Sequence, residues 1–206
     1  MFVRFALLLS IFTVPAFAQA DPQPMRILAP APKDDLVRVA LDTDKGRIVL
    51  ALDKGRAPNT TANFLAYVDK GWFDGEGFYR AFKYGGGGVV QGGVRSGGKQ
   101  LPPIEVEPTS RTGLKNRAWT IAMANAGPGT TRSDFFIMTT DIPAFDATAT
   151  EMGFAAFGRV VEGQEVVKAI LASPTSPTLG EGAMKGQMLE PVVRITKAER
   201  VAPTAR

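Results

Sequence analysis

One stretch of this sequence carries residues whose types and spacing could do chemistry: the glycine-rich run Tyr84 to Lys99, YGGGGVVQGGVRSGGK. Its segment from Gly93 to Gly98-Lys99 has the spacing of a phosphate-binding loop, but Gln100 follows where the magnesium-binding hydroxyl should stand. Such a loop must also open a helix, so that backbone N–H groups converge on the phosphates, and Leu101-Pro102-Pro103 comes next instead. Nucleotide binding is therefore rejected.

The chain has 206 residues with no His and no Cys. Those absences exclude thiol nucleophiles, Ser-His and Cys-His catalysis, imidazole acid–base work and nearly all zinc sites. Any chemistry must use arginine, lysine, carboxylates, amides or hydroxyls. The formal charge of +4 is spread among interspersed residues of both signs, which reads as a solvated surface and not as a nucleic-acid footprint.

The elements that would hold these residues can be read in order. Residues 1–20, MFVRFALLLSIFTVPAFAQA, place Arg4 before an apolar run and end in small residues, the pattern of a secretory signal peptide. Cleavage after Ala18 or after Ala20 fits equally well. An exported chain results, expected in the periplasm, with no membrane association after cleavage. Roughly 185 residues then remain, which suits one domain. Residues 21–35 carry four prolines and read as an extended tether. The domain spans 36–200, and 201–206 form a tail.

Within the domain, Val37, Val39 and Leu41 alternate with polar or small residues. Asp44-Lys45-Gly46 then supplies a turn, and Ile48, Leu50 and Leu52 alternate again. That is a β-hairpin. Pro58-Asn59 opens a helix in which Phe64, Leu65 and Val68 recur at helical spacing, and Gly71 stops it. Strand-type runs follow at 78–84, 89–91, 119–124, 135–139 and 155–161. A second helix falls at 163–172 and a last strand at 191–201. Many strands with two helices point to a mainly β fold, and a closed barrel would remove the exposed edges.

The order of local signatures becomes specific when these segments are set side by side. The stretch Ala57-Pro58-Asn59-Thr60-Thr61-Ala62-Asn63-Phe64-Leu65 is followed by Phe78-Tyr79-Arg80, Gln91-Gly92-Gly93, Ile104-Glu105 and Ala122-Met123-Ala124-Asn125-Ala126-Gly127-Pro128. Ser133-Asp134-Phe135-Phe136-Ile137 and Phe157-Gly158-Arg159-Val160 complete the series. The whole resembles the cyclophilin family of peptidyl-prolyl cis-trans isomerases. The resemblance implies a closed eight-stranded β-barrel capped by two α-helices, no metal or cofactor, and acceleration of rotation about X–Pro peptide bonds. The partners it implies are proline-containing segments of unfolded or partly folded proteins, bound by a monomeric chain without nucleic acid. In an exported chain the clients would be exported proteins that need help in folding. A weakened member that only binds peptides, as a chaperone module would, is the alternative.

By the resemblance, Arg80, Gln91 and Phe136 are the catalytic residues, and Val89, Met123, Ala124, Asn125, Asp134, Phe145 and Phe154 bind substrate. Several positions depart from the family pattern. Tyr79 stands where the family usually has His, Asp134 where it has Gln, Phe154 where His is frequent, and Ala144 at a bulky position. The span from Arg80 to Gln91 is about three residues longer than usual. That length removes the aromatic expected before the glutamine, leaving Gly88 there or passing its role to Tyr84, and the glycines are expected to form an altered loop on the groove rim. Without His or Cys, activity should be nearly flat between about pH 5 and 8. Asp134 and Glu105 are the carboxylates that could change that.

Overall fold

A computed structural model describes residues 35–202. The expected signal peptide and all of the expected tether but Asp35 lie outside the described residues, as do the last four residues of the tail.

Eight antiparallel strands close into a barrel in the order β1-β2-β7-β5-β6-β4-β3-β8. They are β1 (Leu36–Thr43), β2 (Gly46–Asp53), β3 (Gly77–Tyr84), β4 (Gly87–Gly93), β5 (Thr120–Met123), β6 (Phe135–Met138), β7 (Ala155–Glu162) and β8 (Met188–Val201). Closure pairs every strand on both sides, so no edge is left to recruit another chain. The anticipated first hairpin is present, with Thr43 opposite Gly46. The last strand begins at Met188, three residues before the apolar alternation makes it visible.

The barrel interior is filled by the inward halves of the alternating strands. Leu41, Ile48, Leu50, Leu52, Phe78, Ile121, Phe135, Ile137 and Phe157 belong to this buried core. Helix α1 (Pro58–Asp69) follows the end of β2 and inserts Phe64, whose ring lies 4.9 Å from Phe73 and 5.4 Å from both Phe135 and Phe157. No side chain of its own caps α1. Instead the buried Glu107 accepts the Thr60 N–H at 2.8 Å and the Thr60 hydroxyl at 2.7 Å, setting a negative charge at the positive end of the helix.

Helix α3 (Gln164–Leu171) covers the opposite end of the barrel, buries Val166, Val167 and Ile170, and meets β2 where β2 starts. The short helical turn α2 (Thr109–Thr112) was not legible because four residues show no periodicity.

Candidate functional site

Strand parity decides which side chains leave the barrel. On β4, Val90 points into the core while Val89 and Gln91 point out; on β6, Ile137 and Phe135 point in while Phe136 and Met138 point out. On β3 plain alternation from the buried Phe78 would turn Arg80 inward. A β-bulge prevents this: Phe78 pairs with Gly92, yet Arg80 pairs with Gln91, so Tyr79 is the extra residue. The bulge sends Tyr79 and Arg80 outward together and restores Ala81 to the core. Gln91 in turn pairs with Phe136, and Phe136 with Ala122. Arg80, Gln91 and Phe136 therefore stand abreast on three adjacent strands.

They line one cleft of about 560 Å³. Its apolar half is a hollow of three phenylalanines packed edge to face: Phe136 lies 5.5 Å from Phe145 and 5.2 Å from Phe154, and those two are 4.9 Å apart. Such pairs are worth roughly 0.5–1.5 kcal/mol each beyond the area they bury. Phe145 ends the 3-10 turn Pro143–Phe145 and Phe154 directly precedes β7, and the fully buried Asn116 ties the two segments together. Its Nδ2 donates to Phe145 O at 2.9 Å, Asp146 Oδ1 at 3.1 Å and Phe154 O at 3.2 Å.

The polar half is built on Arg80. Its Nη1 donates to Gln91 Oε1 at 2.9 Å, while Nε and Nη2 both donate to Gln187 Oε1, at 2.9 and 2.7 Å. The guanidinium carbon lies 4.7 Å from the centre of the Phe82 ring. Both clasping groups are neutral amides, so they orient the cation without cancelling its charge. Burial lowers the Arg80 pKa from its usual value, the sign of a cation partly stripped of water. Gln91 Nε2 donates to the Tyr79 hydroxyl at 2.8 Å, and that hydroxyl donates to Asp134 Oδ1 at 3.0 Å. Arg95 closes the row, 3.9 Å from Asp134 Oδ2 and stacked 4.8 Å from the Tyr79 ring centre.

The cyclophilin type peptidyl-prolyl cis-trans isomerase family model matches residues 37–200. The chain belongs to the cyclophilin family. It is 40% identical over 149 residues to a peptidyl-prolyl cis-trans isomerase of Streptomyces antibioticus, covering 69% of this chain and 87% of the relative. A peptidyl-prolyl cis-trans isomerase A of Dickeya dadantii is 39% identical over 137 residues, 64% of this chain and 70% of that one. Among solved structures, a Cryptosporidium parvum cyclophilin determined in the presence of the dipeptide Ala-Pro superposes with a TM-score of 0.66. That match covers 81% of this chain and 99% of the other, at 22% identity, a level at which the likeness concerns the barrel alone.

Set within this cyclophilin barrel, nine of the ten sequence-selected residues line the cleft: Arg80, Gln91, Phe136, Val89, Ala124, Asn125, Asp134, Phe145 and Phe154. Met123 does not. Its side chain is 1% exposed and packs inside the barrel, because one step along β5 from the outward Ala122 turns it in. Glu105 is exposed on another depression, with Asn59, Asn63 and Ile104. The missing aromatic is supplied by Phe82, which faces Val89 across β3 and β4; Tyr84, the expected substitute, is 48% exposed beside the hairpin turn. Sequence reasoning also missed Gln187 and Met184, which reach the site from the segment leading into β8, and Met188, the first residue of β8.

The glycine run is not a rim loop. Gly85 and Gly86 form the two-residue turn of a regular hairpin in which Lys83 pairs with Gly88 and Tyr84 with Gly87. Gly85 has φ +54°, the left-handed conformation such a turn requires.

Proposed function

We propose that this cyclophilin is an exported peptidyl-prolyl isomerase that accelerates rotation about X–Pro bonds and so assists the folding of proteins in its own compartment. One observation carries the catalytic part: Arg80, Gln91 and Phe136 occupy paired positions on adjacent strands and face one cleft. The exported setting rests on the sequence of residues 1–20.

The reaction makes and breaks no covalent bond, which suits a chain without His or Cys. Its barrier, about 18–20 kcal/mol, is the amide resonance lost when the C–N bond twists. Twisting returns a lone pair to the prolyl nitrogen, and a fixed donor aimed there stabilises the twisted amide more than either planar form. Arg80 is that donor. Its two amide clasps occupy three of its five N–H groups, leaving two for substrate. The proline ring sits against Phe136, Phe145 and Phe154, while Ala124 and Asn125 meet the substrate backbone. In that hollow the amide is less well solvated than in water, which disfavours its polar planar form.

Against the peptide-binding alternative stands the register of the glycines, which extend a hairpin. A proline-limited refolding assay separates the two readings. The wild-type chain should accelerate the slow phase and Arg80→Ala should lose about 10- to 150-fold of that acceleration. No acceleration by either protein would leave only binding.

A further inference from the structure

The polar side of the cleft ends in a carboxylate that isomerisation does not require. Asp134, just before β6, has a side chain 33% exposed and receives the Tyr79 hydroxyl. That hydroxyl has a single hydrogen. An ionised carboxylate offers acceptors only, so the hydrogen must point to Asp134, and the Tyr79 oxygen is left to accept on its other side. The group on that side is the Gln91 amide. Its two ends have nearly the same shape and opposite hydrogen-bonding character. An accepting oxygen selects the Nε2 end, which turns Oε1 toward Arg80 Nη1. With the amide reversed, an NH₂ group would face a guanidinium, donor against donor.

We propose that Asp134, Tyr79 and Gln91 form a positioning relay: the carboxylate, through the direction of the Tyr79 hydroxyl, fixes which end of the Gln91 amide faces Arg80 and so holds the guanidinium on its target. The catalytic consequence rests on the reading of Arg80 as the donor to the prolyl nitrogen; the orientation of the amide does not.

Three features of the surroundings fit this role. The β3 bulge exists where Tyr79 and Arg80 must share one face. Gly93 leaves the carboxylate its space, since a Cβ there would collide with Asp134 Oδ1. Arg95 lies over both distal members, against the Tyr79 ring and near Asp134 Oδ2.

The relay also responds to pH. The titratable and charged groups facing Asp134 are Tyr79 from β3, Arg95 after β4 and, through its charge, the Tyr67 hydroxyl of α1. Burial raises both tyrosines above their ordinary range, so in the working range Asp134 is the member of the relay that changes charge. Burial raises its carboxyl as well, against the opposing Tyr79 bond and Arg95 charge. The sign follows. Asp134 takes up its proton at a higher pH than an ordinary aspartate, and the protonated acid can donate to Tyr79. The hydroxyl hydrogen is then free to turn toward Gln91, where it opposes the Nε2 hydrogens, and the orientation of the amide rests on Arg80 alone.

The test compares wild type, Asp134→Asn, Tyr79→Phe and the double variant, all nearly isosteric. Isomerase kcat and KM on a proline peptide are followed from acid to neutral pH. In parallel, ¹⁵N resonances of the Gln91 side-chain amide and Arg80 Nε are titrated in the ligand-free proteins. We expect a wild-type kcat that falls on the acid side with KM little changed, and about a 2- to 12-fold loss in Tyr79→Phe at neutral pH, the size of one neutral hydrogen bond. The double variant should be no worse than Tyr79→Phe, and the acid limb should vanish in both single variants. The Gln91 and Arg80 resonances should move together in wild type and stay still in Asp134→Asn. Additive losses, an acid limb that survives in Tyr79→Phe, or resonances indifferent to Asp134 would overturn the relay. A wild-type chain without isomerase activity would sink the function proposed above, and the resonance titration would still decide the relay.

Discussion

Replacing Arg80 by lysine distinguishes a directed donor from a mere positive charge. In the structure the guanidinium spends Nε and Nη2 on Gln187, one Nη1 hydrogen on Gln91, and its face on Phe82. Two N–H groups remain, and the clasps fix their direction. An ammonium has three hydrogens in all and no plane to stack. If it satisfies both glutamines, one donor is left, and its direction is set by a flexible stem. A hydrogen bond to a charged group is worth about 1.5–3 kcal/mol, so complete loss in Arg80→Ala corresponds to roughly 10- to 150-fold in kcat. Arg80→Lys keeps the charge and should fall between, about 10-fold below wild type. The aromatic hollow is untouched, so KM should stay within about twofold. Stability should change by less than about 1 kcal/mol, because Gln91 and Gln187 line an open cleft where water can replace the cation. Refolding of a proline-limited client near 10 °C, where the uncatalysed phase takes minutes, gives the rate; titration with a proline peptide gives the affinity. A lysine variant as fast as wild type beside a slow alanine variant would refute the directed donor, and so would a loss confined to KM.

Two further expectations concern the frame around the cleft. In Gly88→Ala the new Cβ would collide with Phe82 O and lie 2.8 Å from Leu171 Cδ1 of α3; thermal or urea unfolding should register a loss of about 1–3 kcal/mol. Gly86→Ala, with no atom within 4 Å of its Cβ, should change stability by less than about 0.5 kcal/mol. Asn116→Leu removes the donor shared by Phe145 O, Asp146 Oδ1 and Phe154 O, which should cost about 2–4 kcal/mol and raise KM more than it lowers kcat, because it loosens the hollow and leaves the Arg80 clasp in place.

The barrel was legible because its strands alternate. Val37, Val39 and Leu41 announce β1, and the same pattern on β2 and β8 marks the faces that must be buried. Arg80, Gln91 and Phe136 were legible as members of short motifs in a fixed order. What escaped depends on parity and on long-range pairing. Met123 sits in a motif beside two cleft residues, yet only the pairing of β5 with β6 and β7 says that its neighbour Ala122 faces outward. Gln187 is separated from Arg80 by 107 positions, and a lone glutamine after Gly186 carries no signal of its partner. The Tyr79 bulge is invisible for the same reason: it is defined by two residues of β3 facing the span of one on β4.

The long Arg80-to-Gln91 span acquires a physical reading from the same register. Every pair from Arg80 with Gln91 to Tyr84 with Gly87 stays in step, so the extra residues lengthen the hairpin at its tip and leave Arg80 and Gln91 opposed. A lengthened hairpin exposes new surface that must be covered, and here α3 covers it at Gly88, where the lack of a Cβ lets Leu171 approach. The next outward position on β3 after Arg80 is Phe82, lying under the guanidinium and against Val89. The glycines that resemble a phosphate cradle therefore serve the cleft indirectly: they let the hairpin turn tightly and pack closely, and the residue so presented is the aromatic floor beneath Arg80.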